Sequence, residues 1–233
     1  MPGNWIIVEC PVCHGKSGGP GSRDECQRCK GYKEIYRSKD NPNVEIRGDL
    51  LCINGHEWRP GADLTGMDFS GIRISGYDLP FPPSYQKFVK LSNVNLEGAN
   101  LSGASLEACG LGKLRGANLR NATLHKVFLG GADLDLDQVD LRHATLTKVA
   151  FDHAHMRGAD LRDAVINECS FNYTHLENAN MFGAKLTGGY AKEIFLRGAT
   201  LPNGEKAGIW YTGKLREYGL QPIYKIPFDD NDF

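Results

Sequence analysis

From residue 139 to residue 203 the chain repeats one pattern of apolar and polar positions every five residues, in 13 consecutive pentapeptides without a gap. The third residue of each pentapeptide is apolar, as in Leu141, Phe151 and Leu161. The first residue is small or at most valine-sized, except in the pentapeptide that begins with Ile194. The remaining positions are mostly polar. We therefore expect the first and third residues to face the interior.

Neither a helical period of 3.6 residues nor a strand period of 2 persists through this pattern. Because side chains alternate along a strand, the first and third residues of a short extended step share one side, and a turn must then restart the pattern. The pattern predicts a solenoid with a continuous apolar column. The same phase recurs at 62–81, 89–113 and 117–136, which gives 26 repeats in all. We place breaks at 82–88, near 114–116 (with 109–111 as an equal alternative) and at 137–138.

The segments 62–66 (ADLTG), 99–103 (ANLSG) and 159–163 (ADLRD) resemble repeats of the pentapeptide-repeat family. The resemblance implies an all-β fold, a right-handed quadrilateral β-helix with four repeats per coil. The repeats would then form about 6.5 coils and a rod about 31 Å long at the usual strand spacing.

The change of pattern along the chain predicts four segments. The boundaries we expect are 1–45 for a zinc-binding module, 46–61 for a hairpin cap or linker, 62–203 for the β-helix with a loop at 80–88, and 204–233 for a C-terminal cap and tail.

Four of the seven cysteines form two C-x-x-C pairs that are 12 residues apart: Cys10, Cys13, Cys26 and Cys29. Two such pairs can close a tetrahedral four-thiolate shell around one structural zinc per chain. Iron fits the same ligands, and zinc is the default. The segment is too short for a core of its own, so the metal would supply folding energy on the order of 10 kcal/mol. Cys109 and Cys169 fall on small inward positions, and we expect buried, inert thiols there.

The segments 13–15 (CHG) and 29–31 (CKG) also resemble the C-x-x-C-x-G repeats in the cysteine-rich region of J-domain chaperones. That resemblance covers about 25 residues and only two of the family's four repeats, so it implies a zinc module rather than chaperone activity. Whether Cys52 and His56 take part in metal binding stays open.

If one coil has 20 residues, His155, His175 and Phe195 stack in one column beside His153 and Tyr173. Two interpretations stay open, a solvated face and a partner-docking patch, with a surface metal site as a distant third.

The same spacing predicts an ion-pair ladder of Arg157, Glu177 and Arg197, and places His143 above Asp163. Such exposed pairs contribute about 0.2–1 kcal/mol each, so they would adjust the surface rather than hold the fold.

The break at 80–88 interrupts the coil with prolines and three aromatic residues, Phe81, Tyr85 and Phe88. A loop that projects from a rigid scaffold is a usual site of recognition. A packed insertion that covers the apolar column is the equal alternative.

The composition is that of a globular protein, with 41% hydrophobic and 24% charged residues and a net charge of −1. That balance argues against a general nucleic-acid binder, which normally carries a basic excess. The sequence has no apolar run of the length a membrane helix requires and opens with no signal peptide, so we expect a cytoplasmic protein or one assembled into a soluble particle. The odd number of cysteines favours a reducing compartment.

No catalytic motif stands out, and we expect no enzyme. The leading hypothesis is a non-catalytic structural or assembly protein, a virion component or a subunit of a large complex, with a protein partner or a second copy of itself. The family resemblance supplies an alternative, because some pentapeptide-repeat proteins mimic DNA and protect type II topoisomerases, although the rod has 14 basic and 15 acidic residues. A third hypothesis is nucleic-acid contact through six basic residues near the cysteines, against which we weigh a solvated face: Arg23, Arg28, Lys30, Lys33, Arg37 and Lys39.

Overall fold

The computed structural model describes residues 5–8, 35–39, 44–47, 50–59, 61–75, 89–90, 94–131, 134–208 and 220–221. Within these ranges all regular elements are β-strands and β-bridges, as the repeat pattern predicts. The strands are β1 (Trp5–Val8), β2 (Ile35–Ser38), β3 (Val44–Arg47), β4 (Leu50–Ile53), β5 (His56–Trp58), β6 (Arg73–Ser75), β7 (Val89–Lys90), β8 (Ser105–Glu107), β9 (Cys109–Gly110), β10 (Thr123–His125), β11 (Thr145–Thr147), β12 (Val165–Asn167), β13 (Lys185–Thr187), β14 (Gly189–Tyr190) and β15 (Leu220–Gln221).

The repeats coil into a four-faced β-solenoid. In chain order, the first face is the row of stacked residues from Asp63 to Phe195 and the second the row from Asp68 to Thr200. The third face is the six-stranded parallel sheet β6-β8-β10-β11-β12-β13, and the fourth is the row from Gly110 to Tyr190. Between successive coils from β11 onward the paired residues are 20 apart, as in Thr145↔Val165. The predicted solenoid is confirmed.

The interior is filled by the first and third residues of the repeats, as expected. Of the 13 third residues between 139 and 203, only Leu186 and Ala191 are partly buried, and the others are buried. The polar residue just before the third residue stabilises the backbone. The side chain of Asp160 accepts a hydrogen bond from the backbone N–H of Arg162 at 3.2 Å, and Asn180 accepts one from Phe182 at 3.1 Å. These side-chain oxygens thus accept hydrogen bonds from backbone N–H groups of the turn that follows each short strand.

The coils are not all of one length, and the breaks differ from those predicted. Gly110 and Lys113 are only three positions apart at the corner between the fourth and first faces, where Ala150 and His155 are five positions apart. One coil later, at the same corner, Phe128 and Asp135 are seven positions apart.

The breaks expected near 114–116 and at 137–138 are therefore wrong, and the alternative at 109–111 was close. Leu114 and Leu136, at or beside those breaks, are inward-facing and fully buried, whereas Leu134 is only partly buried. Near each break two apolar residues could occupy the inward position of the repeat, and the sequence pattern alone does not determine which of them does.

We expect Gly112→Ala to be strongly destabilising, because the short corner brings Gly112 onto the backbone of Val94. A Cβ at residue 112 would lie 1.9 Å from the carbonyl oxygen of Val94 and 2.6 Å from its nitrogen. The two coils must move apart to remove this overlap. The free energy of unfolding, measured by chemical denaturation, should therefore fall by about 3 kcal/mol. Gly110→Ala is the matched control, since its Cβ would meet only the Phe128 carbonyl oxygen at 3.9 Å. Equal stabilities would contradict the tight corner.

An antiparallel sheet of five strands, β1 to β5, precedes the first coil. It crosses the boundary expected at residue 45, because β3 pairs with both β2 and β4. Trp58 packs edge-on against Phe69 of the first coil, with ring centroids 4.8 Å apart. Ile46 and Ile53 join the same core cluster, so the apolar column continues into the sheet.

The chain reverses after the last described coil. Thr200 and Lys206 form an antiparallel bridge, and the backbone N–H of Ala207 donates to the carbonyl of Ala199 at 2.8 Å. Strand β15 pairs in parallel with β14 on the fourth face. The rest of the expected C-terminal cap at 204–233 lies outside the described residues.

Candidate interaction surface

Three rings stack along the first face at the same position of successive coils: His155, His175 and Phe195, the ring column. Parallel bridges join His155 to His175 and His175 to Phe195. The ring centroids are 5.0 Å and 4.4 Å apart, with interplanar angles of 8° and 10°. The coil spacing matches the distance at which flat rings stack, so the predicted column is confirmed.

A second stack stands at the adjacent corner. The rings of His153 and Tyr173 are 4.8 Å apart and 14° from parallel, and the Lys192 amine lies 5.5 Å from the centroid of the Tyr173 ring. His153 and Tyr173 have positive φ angles of 62° and 56°. Bulky residues are uncommon in this region of backbone conformation, and here the corner holds both rings. Together with the ring column they form the ring surface.

The guanidinium of Arg157 ties the ring column together. Its Nη1 lies 2.8 Å from Nδ1 of His155, and its Nη2 lies 3.3 Å from Nδ1 of His175. Because arginine only donates, both ring nitrogens accept in these contacts. Glu177 Oε1 is also 3.1 Å from Nδ1 of His175, and that contact requires a proton on the same nitrogen. A single tautomer of the His175 ring can therefore make only one of these two hydrogen bonds.

Beside the rings runs a second row on the first face, the charge column. The predicted ladder is present in part: Arg157 Nε lies 3.7 Å from Glu177 Oε2, but no ion pair among the described residues joins Glu177 to Arg197. Arg157 also lies 4.0 Å from Asp137. Arg115 lies 2.6 Å from Asp135 and 3.5 Å from Asp137, and the hydrogen bond to Asp135 raises the pKa of Arg115. Backbone hydrogen bonds between coils stack six positions: Glu97, Arg115, Asp137, Arg157, Glu177 and Arg197.

Sequence reasoning found only the upper half of the charge column. The short and long corners displace Arg115 and Asp137 from a strict spacing of 20, which hid their alignment with Arg157. The other predicted pair is present, because His143 Nδ1 lies 3.9 Å from Asp163 Oδ2.

The described cysteines are buried. Burial raises the pKa of Cys109 and of Cys169 from 9.0 to about 12, so both thiols stay protonated, as expected. Cys52 is buried in β4, while His56 is exposed. Within the part of the chain that the structure describes, no three histidine, cysteine, aspartate or glutamate residues group as metal ligands.

Several predicted site residues lie outside the described residues. These are the four candidate zinc ligands Cys10, Cys13, Cys26 and Cys29, and the three loop aromatics Phe81, Tyr85 and Phe88. The strand pairing does show that this coil is longer, because Arg73 and Lys90 are 17 positions apart in the sequence whereas their partners Ser105 and Gly110 are five positions apart.

The charges of the described residues bear on the two nucleic-acid hypotheses. Arg37 is bound to Glu45, with Nη2 2.6 Å from the carboxylate, so it is not free to hold a phosphate. On the second face Arg142 and Arg162 bind Asp140 and Asp160 at 2.5 Å and 2.7 Å. On the second face a row of arginines lies beside the row that holds these aspartates, and on the first face the sign alternates along the charge column, so neither arrangement matches the continuous negative charge of DNA. Among the described residues there is no helix with the length and hydropathy to cross a membrane.

The profile of pentapeptide repeats matches this chain in eight copies, over residues 87–109, 112–136, 135–163 and 159–198. Similar solved structures include the pentapeptide repeat protein Rfr23 from the cyanobacterium Cyanothece 51142, which is 22% identical with a TM-score of 0.27 over 58% of this chain and 88% of that one. HetL, involved in heterocyst differentiation regulation in Nostoc sp. strain PCC 7120, is 18% identical with a TM-score of 0.18 over 64% and 92%. QnrB1, a plasmid-mediated fluoroquinolone resistance protein, is 16% identical with a TM-score of 0.30 over 70% and 78%. No curated protein matches the sequence.

Proposed function

Since this chain belongs to the pentapeptide repeat family, we propose that it is a non-catalytic scaffold whose rigid solenoid presents a protein-interaction surface. The ring surface is the observation that carries this proposal. It gathers five stacked rings on one side of the rod, and Phe195 is 43% exposed although it is large and apolar.

Stacking makes the ring surface suitable for binding. Each ring stacks on a ring of a neighbouring coil, so little side-chain freedom remains to be lost when a partner docks. Aromatic side chains and arginine are enriched in the cores of protein interfaces, and Arg157 lies within the ring column. The alternating charges around the rings suit a protein partner better than a polyanion.

The proposed zinc module fits the start of the fold. Strands β1 and β2 are antiparallel and Val8 pairs with Ile35, so the described residues that flank the segment 9–34 lie side by side. Both C-x-x-C pairs lie between these two strands in the sequence. Four thiolates are a donor set that suits a structural zinc, and Cys10, Cys13, Cys26 and Cys29 would hold it. Zinc there would supply the cross-link of a segment too short to build its own core.

We test the scaffold role by photo-cross-linking in the cells that make the protein. A benzoylphenylalanine at position 195 should give a discrete adduct, whereas the same group at Thr145, exposed on the third face, should not. With the captured protein purified, Tyr173→Ala combined with His175→Ala should weaken binding at least about tenfold, because rings at interface centres carry much of the binding energy.

Thr145→Ala is the control and should leave the affinity unchanged. Equal adducts from positions 195 and 145, or a partner that binds the ring variant as tightly as the original chain, would overturn the proposal.

A further inference from the structure

The charge column changes sign at every coil. Read from the N-terminal end, its six members alternate strictly between acid and base, beginning with Glu97 and ending with Arg197. The neighbouring row of the first face repeats the sign at two levels, because Lys113 lies beside Arg115 and Asp135 beside Asp137. One coil therefore presents two positive charges and the next presents two negative charges. A surface that binds this face must present the opposite charge at each of these coils.

Two copies that meet through the first face with two-fold symmetry have two orientations, parallel and antiparallel. In the parallel orientation each level faces the same level of the second copy. Lys113 would then face Arg115, and Asp135 would face Asp137. Like charges would oppose each other, which disfavours this arrangement.

In the antiparallel orientation the column faces itself in reverse. An alternating column of even length then meets the opposite sign at every level, and a displacement by one coil would bring like charges together. Asp135 also faces His155 in this register. The pairs across the interface are Glu97 with Arg197, Arg115 with Glu177, and Asp137 with Arg157.

We propose that the first face binds a second copy of this chain in antiparallel orientation, with full overlap of the charge column. The inference rests on the proposed role as an interaction scaffold and names its partner.

The two ends of the column are the best evidence that the partner is intermolecular. No ion pair within the described residues includes Glu97 or Arg197, whereas the four inner members all have ion-pair partners in the same chain. Glu97 acts within its own chain only at longer range, where its charge contributes to the raised pKa of Arg115. Glu97 and Arg197 are five coils apart, about 24 Å at the usual spacing, so they cannot meet within one chain. In a dimer with full antiparallel overlap, Glu97 of each copy lies opposite Arg197 of the other copy.

The face has seven stacked levels and is about 30 Å tall, which is small for a protein interface. We therefore expect a dimer with a micromolar dissociation constant. Because exposed charges dominate the contact, that constant should rise at least about tenfold between about 20 mM and about 300 mM salt.

Charge reversal at the two ends of the column tests the register. In analytical ultracentrifugation of the full chain, Glu97→Arg and Arg197→Glu should each raise the dissociation constant at least about tenfold, because each places like charges at both ends of the dimer. An equimolar mixture of the two variants should dimerise again, and native mass spectrometry should find the heterodimer. Arg120→Glu is the matched control, an exposed arginine on the second face.

A chain that is monomeric at about 200 µM in low salt, or variants that do not recover on mixing, would overturn the inference. Recovery with unchanged behaviour of Arg120→Glu would support it. Failure here is distinguishable from failure of the scaffold role, because a monomeric chain that still cross-links a different protein through position 195 loses only this partner.

Discussion

Phe151→Ala should lower the free energy of unfolding by about 3–5 kcal/mol. Phe151 is fully buried on the inner side of the fourth face, where its ring stacks on that of Phe171 with centroids 5.0 Å apart. Coils above and below hold the surrounding backbone, so the cavity cannot collapse without breaking hydrogen bonds between coils. Chemical denaturation followed by circular dichroism measures the change.

Phe182→Ala is the matched control for this prediction. Phe182 is 54% exposed on the second face, and its truncation should change the free energy of unfolding by less than about 1 kcal/mol. In a repeat protein each coil contacts only its neighbours, so the interior variant should also unfold over a broader range of denaturant. If the free energy of unfolding fell as little in Phe151→Ala as in Phe182→Ala, the aromatic stack inside the rod would add little to stability.

Removal of zinc should abolish the fold of the segment between β1 and β2. We expect one zinc per chain in the purified protein, and binding free energy on the order of 10 kcal/mol for four thiolate ligands. Chelation should therefore expose the backbone of 9–34 and loosen the pairing of Val8 with Ile35, while the solenoid keeps its own core. Metal analysis combined with hydrogen exchange resolved by segment measures both effects.

Two single substitutions sharpen the test of the metal site. Cys26→Ser removes one proposed ligand and should abolish stoichiometric zinc, whereas Cys52→Ser changes a cysteine buried in β4 and should retain it. Zinc lost from both variants would bring Cys52 into the ligand set. A metal-free chain with unchanged exchange in the segment would show that no zinc module exists.

How far the sequence predicts this fold depends on how regular the repeat is. From Val139 onward the phase is constant, so the inward positions and the stack of His155 on His175 follow from the spacing alone. Lower in the rod, the corner at Gly112 is set by the approach of one coil to another, a contact between residues far apart in sequence. Periodicity does not contain that information.

The N-terminal sheet shows a different kind of limit. The cysteine spacing predicts two metal knuckles, and the Asn54-Gly55 turn predicts one hairpin, the pairing of β4 with β5. The pairing of β1 with β2 joins residues on either side of a long intervening segment, and four-residue strands carry too little pattern to predict such a partner. The charge column was likewise found in half, because its lower members depend on where the coils change length.

The two unequal corners have an evolutionary consequence. Corresponding residues of the first face are 18 apart from Asn95 to Lys113 and 22 apart from Lys113 to Asp135, so a deletion of two residues is followed by an insertion of two at the same corner. The stacked rows continue through both because the bridges resume on every face. Insertions and deletions at this edge are therefore tolerated without loss of alignment between coils. Homologous chains should vary in length at corners such as this one, and the faces between corners should keep their spacing of five.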